Sequence, residues 1–360
     1  MGIERLSRFA LLGSTLLFLT AAGFRQGADP VDLRKAYAGP VETWPKAEID
    51  AGVDFAEFGP LPAFERPTGV DAQRVALGAR LFAEPKLSAS GQFACASCHN
   101  RELGFGDGVR TSFGHDRQRG QRNAISLFTA GFMRELFWDG RSPSLEHQAL
   151  QPIPNLVEMA AKPGQVEHWI NGDKAYREAF KEAYGVKRIR MTDIAAAIAS
   201  FERTLRPPQS PWDRVFTRGT ASMTDQQLQG LHLFRTKARC ANCHNGPLLT
   251  DQKYHNLGIS FYGRRLEDVG RYGVTHDPVD VGRFRTPSLR ALRRTGPYMH
   301  NGIFPTLAGV VNLYAAGGGV DRKVQSTTTT APPPQADPQL KKVSLTPDER
   351  AALVAFLEML

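Results

Sequence analysis

FACASCHN (Phe93 to Asn100) and CANCHN (Cys240 to Asn245) hold all four cysteines of this 360-residue chain, as two copies of Cys-x-x-Cys-His. Thiols at this spacing serve three different chemistries. A structural zinc site takes four ligands from neighbouring loops, yet Cys95 and Cys240 lie 145 positions apart and each pair carries its own histidine. A redox dithiol of the thioredoxin kind has no use for that histidine. The third chemistry is c-type haem attachment: two cysteines about one helical turn apart form thioethers with the two vinyl groups of one haem. The next residue, a histidine, then binds iron from the proximal side. Both copies are complete and no cysteine is left over, so two covalent haem c groups are expected. Cys95, Cys98, Cys240 and Cys243 would attach them, with His99 and His244 as iron ligands.

The surroundings of the two motifs also match. Gly78-Ala-Arg-Leu81-Phe82 precedes the first and Gly230-Leu-His-Leu233-Phe234 the second; the first cysteine follows the Phe by 13 positions in one copy and by 6 in the other. The turn-like KLSASG fills the difference. Each half closes on a helical period: Ile194, Ile198, Phe201 and Leu205 after Thr192-Asp193, then Leu353, Phe356, Leu357 and Leu360 after Thr346-Pro-Asp-Glu. Helix, haem motif and closing helix make up the plan of a cytochrome c domain. The expected fold is therefore mostly α, two tandem cytochrome c-like domains over residues 69–205 and 221–360, each with one haem.

Between them RPPQSPWDRVFTRGT (residues 206–220) reads as a linker, with prolines and no helical period. Residues 24–68 are rich in proline and read as an extension wrapped over the surface. VQSTTTTAPPPQADP (Val324 to Pro338) is low in complexity and reads as a mobile loop. At the start, Arg5 and Arg8 precede an apolar run from Phe9 to Phe24 that ends in small residues, as a secretory signal peptide over residues 1–23 does. Cleavage after Gly23 or after Ala28 fits, and an uncleaved anchor is the alternative. Export to the periplasm agrees with haem c, which is attached outside the bacterial cytoplasm. No other segment is apolar enough to span a bilayer, so no stable membrane insertion is expected after cleavage.

Composition is globular, with 41% hydrophobic residues, and the formal net charge is +9. Such a charge can steer an acidic redox partner, or simply be a basic surface. Its basic residues are dispersed, which speaks against nucleic acid as a partner.

LGARLFAEPKLSASGQFACASCHN, FGHDRQRGQRN, FWDGR, LEHQALQPIPNLVEM, RTPSLR and GPYMHNG together resemble the bacterial di-haem cytochrome c peroxidase family that includes MauG, from about residue 65 to the end. The resemblance implies that peroxide reacts at the N-terminal haem while the C-terminal haem stores or relays electrons. Glu158 matches the distal carboxylate that shifts a proton between the two peroxide oxygens. Gln148 matches a pocket glutamine that hydrogen-bonds peroxide or water, and Pro152 lines that pocket. Trp138 matches the tryptophan between the haems, whereas Trp44, Trp169 and Trp212 read as packing residues. Asn123 matches a ligand of an interdomain calcium ion, with the carbonyls of Thr295 and Pro297 as further oxygens suited to a hard cation. His300 matches a residue at the haem edge, without a ligand role.

Two positions point to different subtypes. His115 falls where the peroxidases of this family keep a loop histidine that caps the peroxidatic iron until the other haem is reduced; MauG-type enzymes lack it. Tyr314 falls where those peroxidases place a methionine on the C-terminal iron, and MauG-type proteins a tyrosine. A thioether favours Fe(II), a hard phenolate the higher oxidation states. Met299 is the rival ligand. The resulting expectation is a haem peroxidase that reduces hydrogen peroxide with electrons from a small cytochrome c or cupredoxin. Two alternatives stand beside it: oxidation of aromatic residues on a partner protein, and a non-catalytic electron-transfer cytochrome, which has no need of Gln148, Pro152 and Glu158. Homodimerisation is left open.

Overall fold

The computed structural model describes residues 30–322 and 324–360; the expected signal peptide lies outside them. The chain is mostly helical. In chain order the helices are α1 (Pro30–Ala36), α2 (Gly69–Phe82), α3 (Cys95–Cys98), α4 (Leu145–Ala149), α5 (Pro163–Gly172) and α6 (Lys174–Tyr184). Then follow α7 (Met191–Glu202), α8 (Pro211–Arg218), α9 (Asp225–Arg235), α10 (Tyr272–Thr275), α11 (Leu307–Ala315) and α12 (Pro347–Leu357). Strands β1 (Tyr254–His255) and β2 (Phe284–Arg285) pair antiparallel, Tyr254 opposite Arg285 and His255 opposite Phe284.

Helix ends follow their capping residues. The Thr224 hydroxyl accepts from the Gln227 N–H at the start of α9, and Thr346 accepts from Glu349 at the start of α12, both at 3.2 Å. Each Gln/Glu side chain reaches back to the cap N–H, a reciprocal pair of which the cap alone is worth ~1 kcal/mol. Helix α7 starts before the expected Thr192-Asp193: Asp193 is its third residue and accepts from the Arg190 N–H at 2.8 Å.

The largest clusters of buried apolar side chains are two. The first gathers Leu77, Leu81, Phe82, Ile194 and Ile198 around the crossing of α2 and α7. The second gathers Leu231, Phe234, Leu353, Phe356 and Leu360 around the crossing of α9 and α12.

Three stretches depart from the sequence expectation. Residues 206–220 are not simply a linker: 211–218 form α8, because Pro211 stands at the first helical position, where it lacks nothing, and Ser210 and Asp213 cap each other. Trp212 on this helix is fully buried against Phe58, Phe216 and Phe356. The segment before residue 69 does not merely wrap the surface, since Leu33, Tyr37, Trp44 and Phe58 belong to the second cluster. Residues 324–338 are anchored: the Tyr262 hydroxyl donates to the carbonyl of buried Ala331 at 2.7 Å, and Asp337 pairs with His255 at 2.8 Å. Arg290 joins several of these pieces, donating to Asp213 of α8 and to the carbonyls of Gly59 and Pro247.

Candidate active site

A continuous cavity of about 680 Å³ runs between the two clusters. Cys95, Cys98 and His99 line one end; Cys240, Cys243 and His244 line the other. The two histidines are held alike. The His99 Nδ1 lies 2.9 Å from the Phe105 carbonyl, and the His244 Nδ1 lies 3.0 Å from that of Leu249. A carbonyl only accepts, so Nδ1 carries the hydrogen and Nε2 keeps its lone pair for a metal. Burial lowers both imidazole pKa values, which favours the neutral, ligating form. Burial also pushes the Cys95 and Cys240 thiols up to about 12, the opposite of an activated redox dithiol. These residues fit two haem c groups, one at each end. The two carbonyls that orient the histidines carry no sequence signal, because any residue type supplies one.

Glu158, Gln148 and Pro152 line the same cavity as His99. Glu158 accepts from the Asn155 amide at 2.7 Å. Burial raises its pKa, against the opposing pull of Arg141 and that hydrogen bond. A carboxyl held this way keeps its proton to higher pH than an exposed one and has it available to give. Gln148 sits on α4, whose first turn is capped by the Ser144 hydroxyl accepting from the His147 N–H at 3.1 Å.

His115 is not brought into this group. Its N–H donates to the Glu158 carbonyl at 2.8 Å, but its ring is not part of the cavity wall, and its Nε2 lies 3.4 Å from the Asp116 carboxylate. The backbone explains it. Asp116 and Arg117 adopt left-handed φ values of 52° and 57°. Gly114 packs so tightly on residues 157–158 that a β-carbon there would lie 2.2 Å from the Val157 carbonyl oxygen. The His115 Nδ1 is buried without a hydrogen-bond partner, on a loop whose backbone is tied to Glu158.

Trp138 is buried and lines the cavity, its indole N–H donating to the Asn123 carbonyl at 2.9 Å. Its ring lies 6.4 Å from that of His300, edge to face, and His300 stacks on Phe284 at 3.5 Å and 8°. Burial, with Asp268 and Arg122 opposing each other, pushes the His300 pKa down to about 3, so this imidazole is neutral. Asn123 donates from its amide nitrogen to the Val109 and Arg110 carbonyls, which leaves its oxygen available to a cation. Asn123, Thr295 and Pro297 all line the cavity.

At the second end Tyr314 projects from α11 into the cavity, and Met299 lines it too. Burial, then the neighbouring Cys243 and Cys240, raise the Tyr314 pKa, so its phenol ionises only against a strong cation. Sequence reasoning missed His255, which bridges Asp251 at 2.9 Å and Asp337 at 2.8 Å beside Cys243. It also missed Glu202, a buried cavity-wall carboxyl with an unpartnered oxygen. Asp337 lies 82 residues beyond His255, and no local pattern announces the pairing.

The family profile described as di-haem cytochrome c peroxidase matches residues 72–222. The chain is 35% identical over 340 residues to the cytochrome-c peroxidase IdrP1 of Pseudomonas sp. (strain SCT), covering 86% of each. It is 34% identical over 291 residues to the methylamine utilization protein MauG of Methylorubrum extorquens, covering 80% of this chain and 78% of that one. Among solved structures, a MauG-like protein associated with microbial copper homeostasis superposes with a TM-score of 0.71 at 31% identity, over 85% of this chain and 94% of the other. Two haem-attachment motifs facing one cavity, with this likeness along most of the chain, place it in the di-haem cytochrome c peroxidase family. It is a haem peroxidase.

Proposed function

We propose that hydrogen peroxide is reduced at the His99 end of the cavity and that electrons enter at the His244 end. The observation that carries this reading is the asymmetry of the two ends. Glu158 and Gln148 face the cavity at the first, the glutamate pKa raised by burial. At the second, Asp251 and Asp337 are both tied to His255, and Tyr314 faces the cavity instead.

Bound haem iron supplies the peroxide-coordinating and redox chemistry. The protein supplies the rest. Cys95 and Cys98, and Cys240 and Cys243, hold the groups covalently; His99 and His244 ligate through Nε2. Glu158 takes the proton from one peroxide oxygen and delivers it to the other, while Gln148 and Pro152 orient and confine the oxidant. Two protons and two electrons then convert peroxide to two waters. In the cavity wall Trp138 meets His300 edge to face and His300 stacks on Phe284, and Trp138 is the residue that would serve transfer between the two haems. Tyr314 would supply a further iron ligand at the His244 end, and Asn123 with the Thr295 and Pro297 carbonyls would hold a calcium ion.

The protein acts in the periplasm, where a small cytochrome c or cupredoxin is the electron donor. No helix of the described residues is long and apolar enough to cross a membrane. Tyr314 supports a second reading, peroxide-driven oxidation of aromatic residues on a partner protein, since a phenolate ligand favours the oxidised states. Adding peroxide to the purified holoprotein and following its near-infrared spectrum, with and without reduced cytochrome c, separates the two. Rapid turnover with cytochrome supports peroxide reduction. A long-lived, two-electron-oxidised state that ignores cytochrome supports the protein substrate.

A further inference from the structure

Three arginines are buried in the described residues: Arg235, Arg285 and Arg290. Arg235 is paired with Glu57, and Arg290 with Asp213 at 2.7 Å. Arg285 has no carboxylate. Its Nε donates to the Phe137 carbonyl at 3.2 Å, and its Nη1 lies 3.0 Å from the Met133 thioether sulfur, a weak acceptor. The nearest acid by its electrostatic influence, Glu135, already holds Arg271 at 3.1 Å and the Tyr254 hydroxyl at 2.6 Å. Arg285 itself is 4% exposed and lines the haem cavity, and burial pulls its pKa down to about 10.

An isolated buried cation costs several kcal/mol unless an anion reaches it. The protein nonetheless positions this one with care. The Arg285 N–H donates to the Trp138 carbonyl at 2.7 Å, and strand β2 sets its neighbour Phe284 on His300. The guanidinium is thereby fixed in the cavity wall, with its Nη2 left for a ligand there. A planar guanidinium fork suits a carboxylate above other anions. The groups that fill this cavity in a di-haem protein carry carboxylates of their own, the two propionate side chains of each haem.

We propose that Arg285 is the seat of a haem propionate, and that its charge helps to set the reduction potential of that haem. The inference rests on the reading that two haems occupy the cavity. It makes Arg285 a positioning residue: it touches the carboxylate at the rim of the cofactor, and no reacting atom. A cation beside a haem favours the state with one more electron, so removing it favours Fe(III).

The test uses the holoprotein, in which the thioethers keep both haems attached whatever happens at residue 285. A pyridine haemochrome assay first counts the haems; fewer than two covalent haems per chain in the wild type would defeat the underlying reading, not this inference alone. Spectroelectrochemical titration then gives the potential of each haem in wild type, Arg285→Gln and Arg285→Lys. Arg285→Gln should lower the Fe(II)/Fe(III) ratio of one haem about tenfold at fixed applied potential, ~59 mV for a one-electron couple. Arg285→Lys, which keeps the charge, should stay within about twofold of wild type. Unchanged potentials in Arg285→Gln overturn the proposal, as does a Lys variant that falls as far as the Gln variant. A wild-type potential that moves with added acetate or chloride overturns it too, because the ligand would then be a free anion.

Discussion

Gly78 of α2 lies directly against the backbone of Ala197 in α7: a β-carbon on Gly78 would fall 1.9 Å from the Ala197 carbonyl oxygen. Gly230 of α9 repeats the relationship with Ala352 of α12, at 2.0 Å. In both halves the opening and closing helices cross where only a glycine allows the approach. Alanine at Gly78 or Gly230 should therefore push the helices apart and destabilise the holoprotein by ~1–3 kcal/mol, the usual cost of overpacking. Gly164, whose added β-carbon would meet nothing within 4 Å, is the control, and Gly164→Ala should be neutral or slightly stabilising. Urea midpoints that fall equally in all three variants would show that the crossings are not specially tight.

The repeat was legible because Gly78 and Gly230 each stand four residues before a Phe, with a Cys-x-x-Cys-His following in both halves. The buried face of α12 was legible for the same kind of reason: Leu353, Phe356 and Leu357 recur at helical spacing. Helix α8 was not, because the prolines around Ser210 read as breakers although Pro211 opens a helix. Nor was the anchoring of residues 324–338, which depends on Tyr262 and His255 reaching a stretch more than 60 residues further along the chain. The site divides along the same line. Covalent and ligating residues belong to compact motifs, whereas the hydrogen-bond partners of His99 and His244, the isolation of Arg285 and the left-handed turn that holds His115 exist only in three dimensions.

Glu202 predicts a pH dependence of stability. It is 3% exposed, and burial raises its pKa from 4.5 to about 8, with Arg203 opposing the rise and Glu146 adding to it. Arg203 is itself turned onto Glu146 at 2.6 Å. A carboxyl whose folded pKa exceeds its unfolded one stabilises fully below the unfolded value, and that contribution is lost as pH rises through the folded value. Between about pH 4.5 and 8 the wild type should lose stability relative to Glu202→Gln. Thermal unfolding of both proteins across this range checks it; parallel curves would mean that Glu202 finds a partner in solution.

Glu158→Gln should retain two haems and the fold while slowing the first reaction with peroxide. Loss of a positioned acid–base group typically costs ~10²–10⁴-fold. Stopped-flow mixing with peroxide measures that step directly. A rate within about twofold of wild type would assign the proton transfer to another group.

The placement of the His115 ring outside the cavity wall makes a spectroscopic prediction. Fully oxidised protein should show one high-spin haem and react with peroxide without prior reduction, and His115→Gly should leave both properties unchanged. Electron paramagnetic resonance of the two proteins decides. Two low-spin haems in the wild type, with one turning high-spin in the variant, would mean that the 113–117 loop swings inward and caps the iron.

Tyr314 separates the two functional readings, because the ligand at the His244 end sets how readily that haem gives up electrons. Its phenol faces the cavity beside Cys240 and Cys243, and burial raises its pKa, so a bound cation would be needed to make it a phenolate. As an iron ligand it would stabilise the oxidised state, and the haem should then be hard to reduce. Tyr314→Met puts a soft, neutral thioether in its place. The Fe(II)/Fe(III) ratio of that haem at fixed potential should rise at least tenfold, ~59 mV for a one-electron couple. The variant should take on the spectrum of a His/Met haem c and lose any long-lived doubly oxidised state, while still turning over peroxide with a cytochrome donor. Potentials and oxidised spectrum identical to wild type would remove Tyr314 as the ligand. Met299, held at a left-handed φ of 73° on the same cavity wall, is then the side chain to replace next.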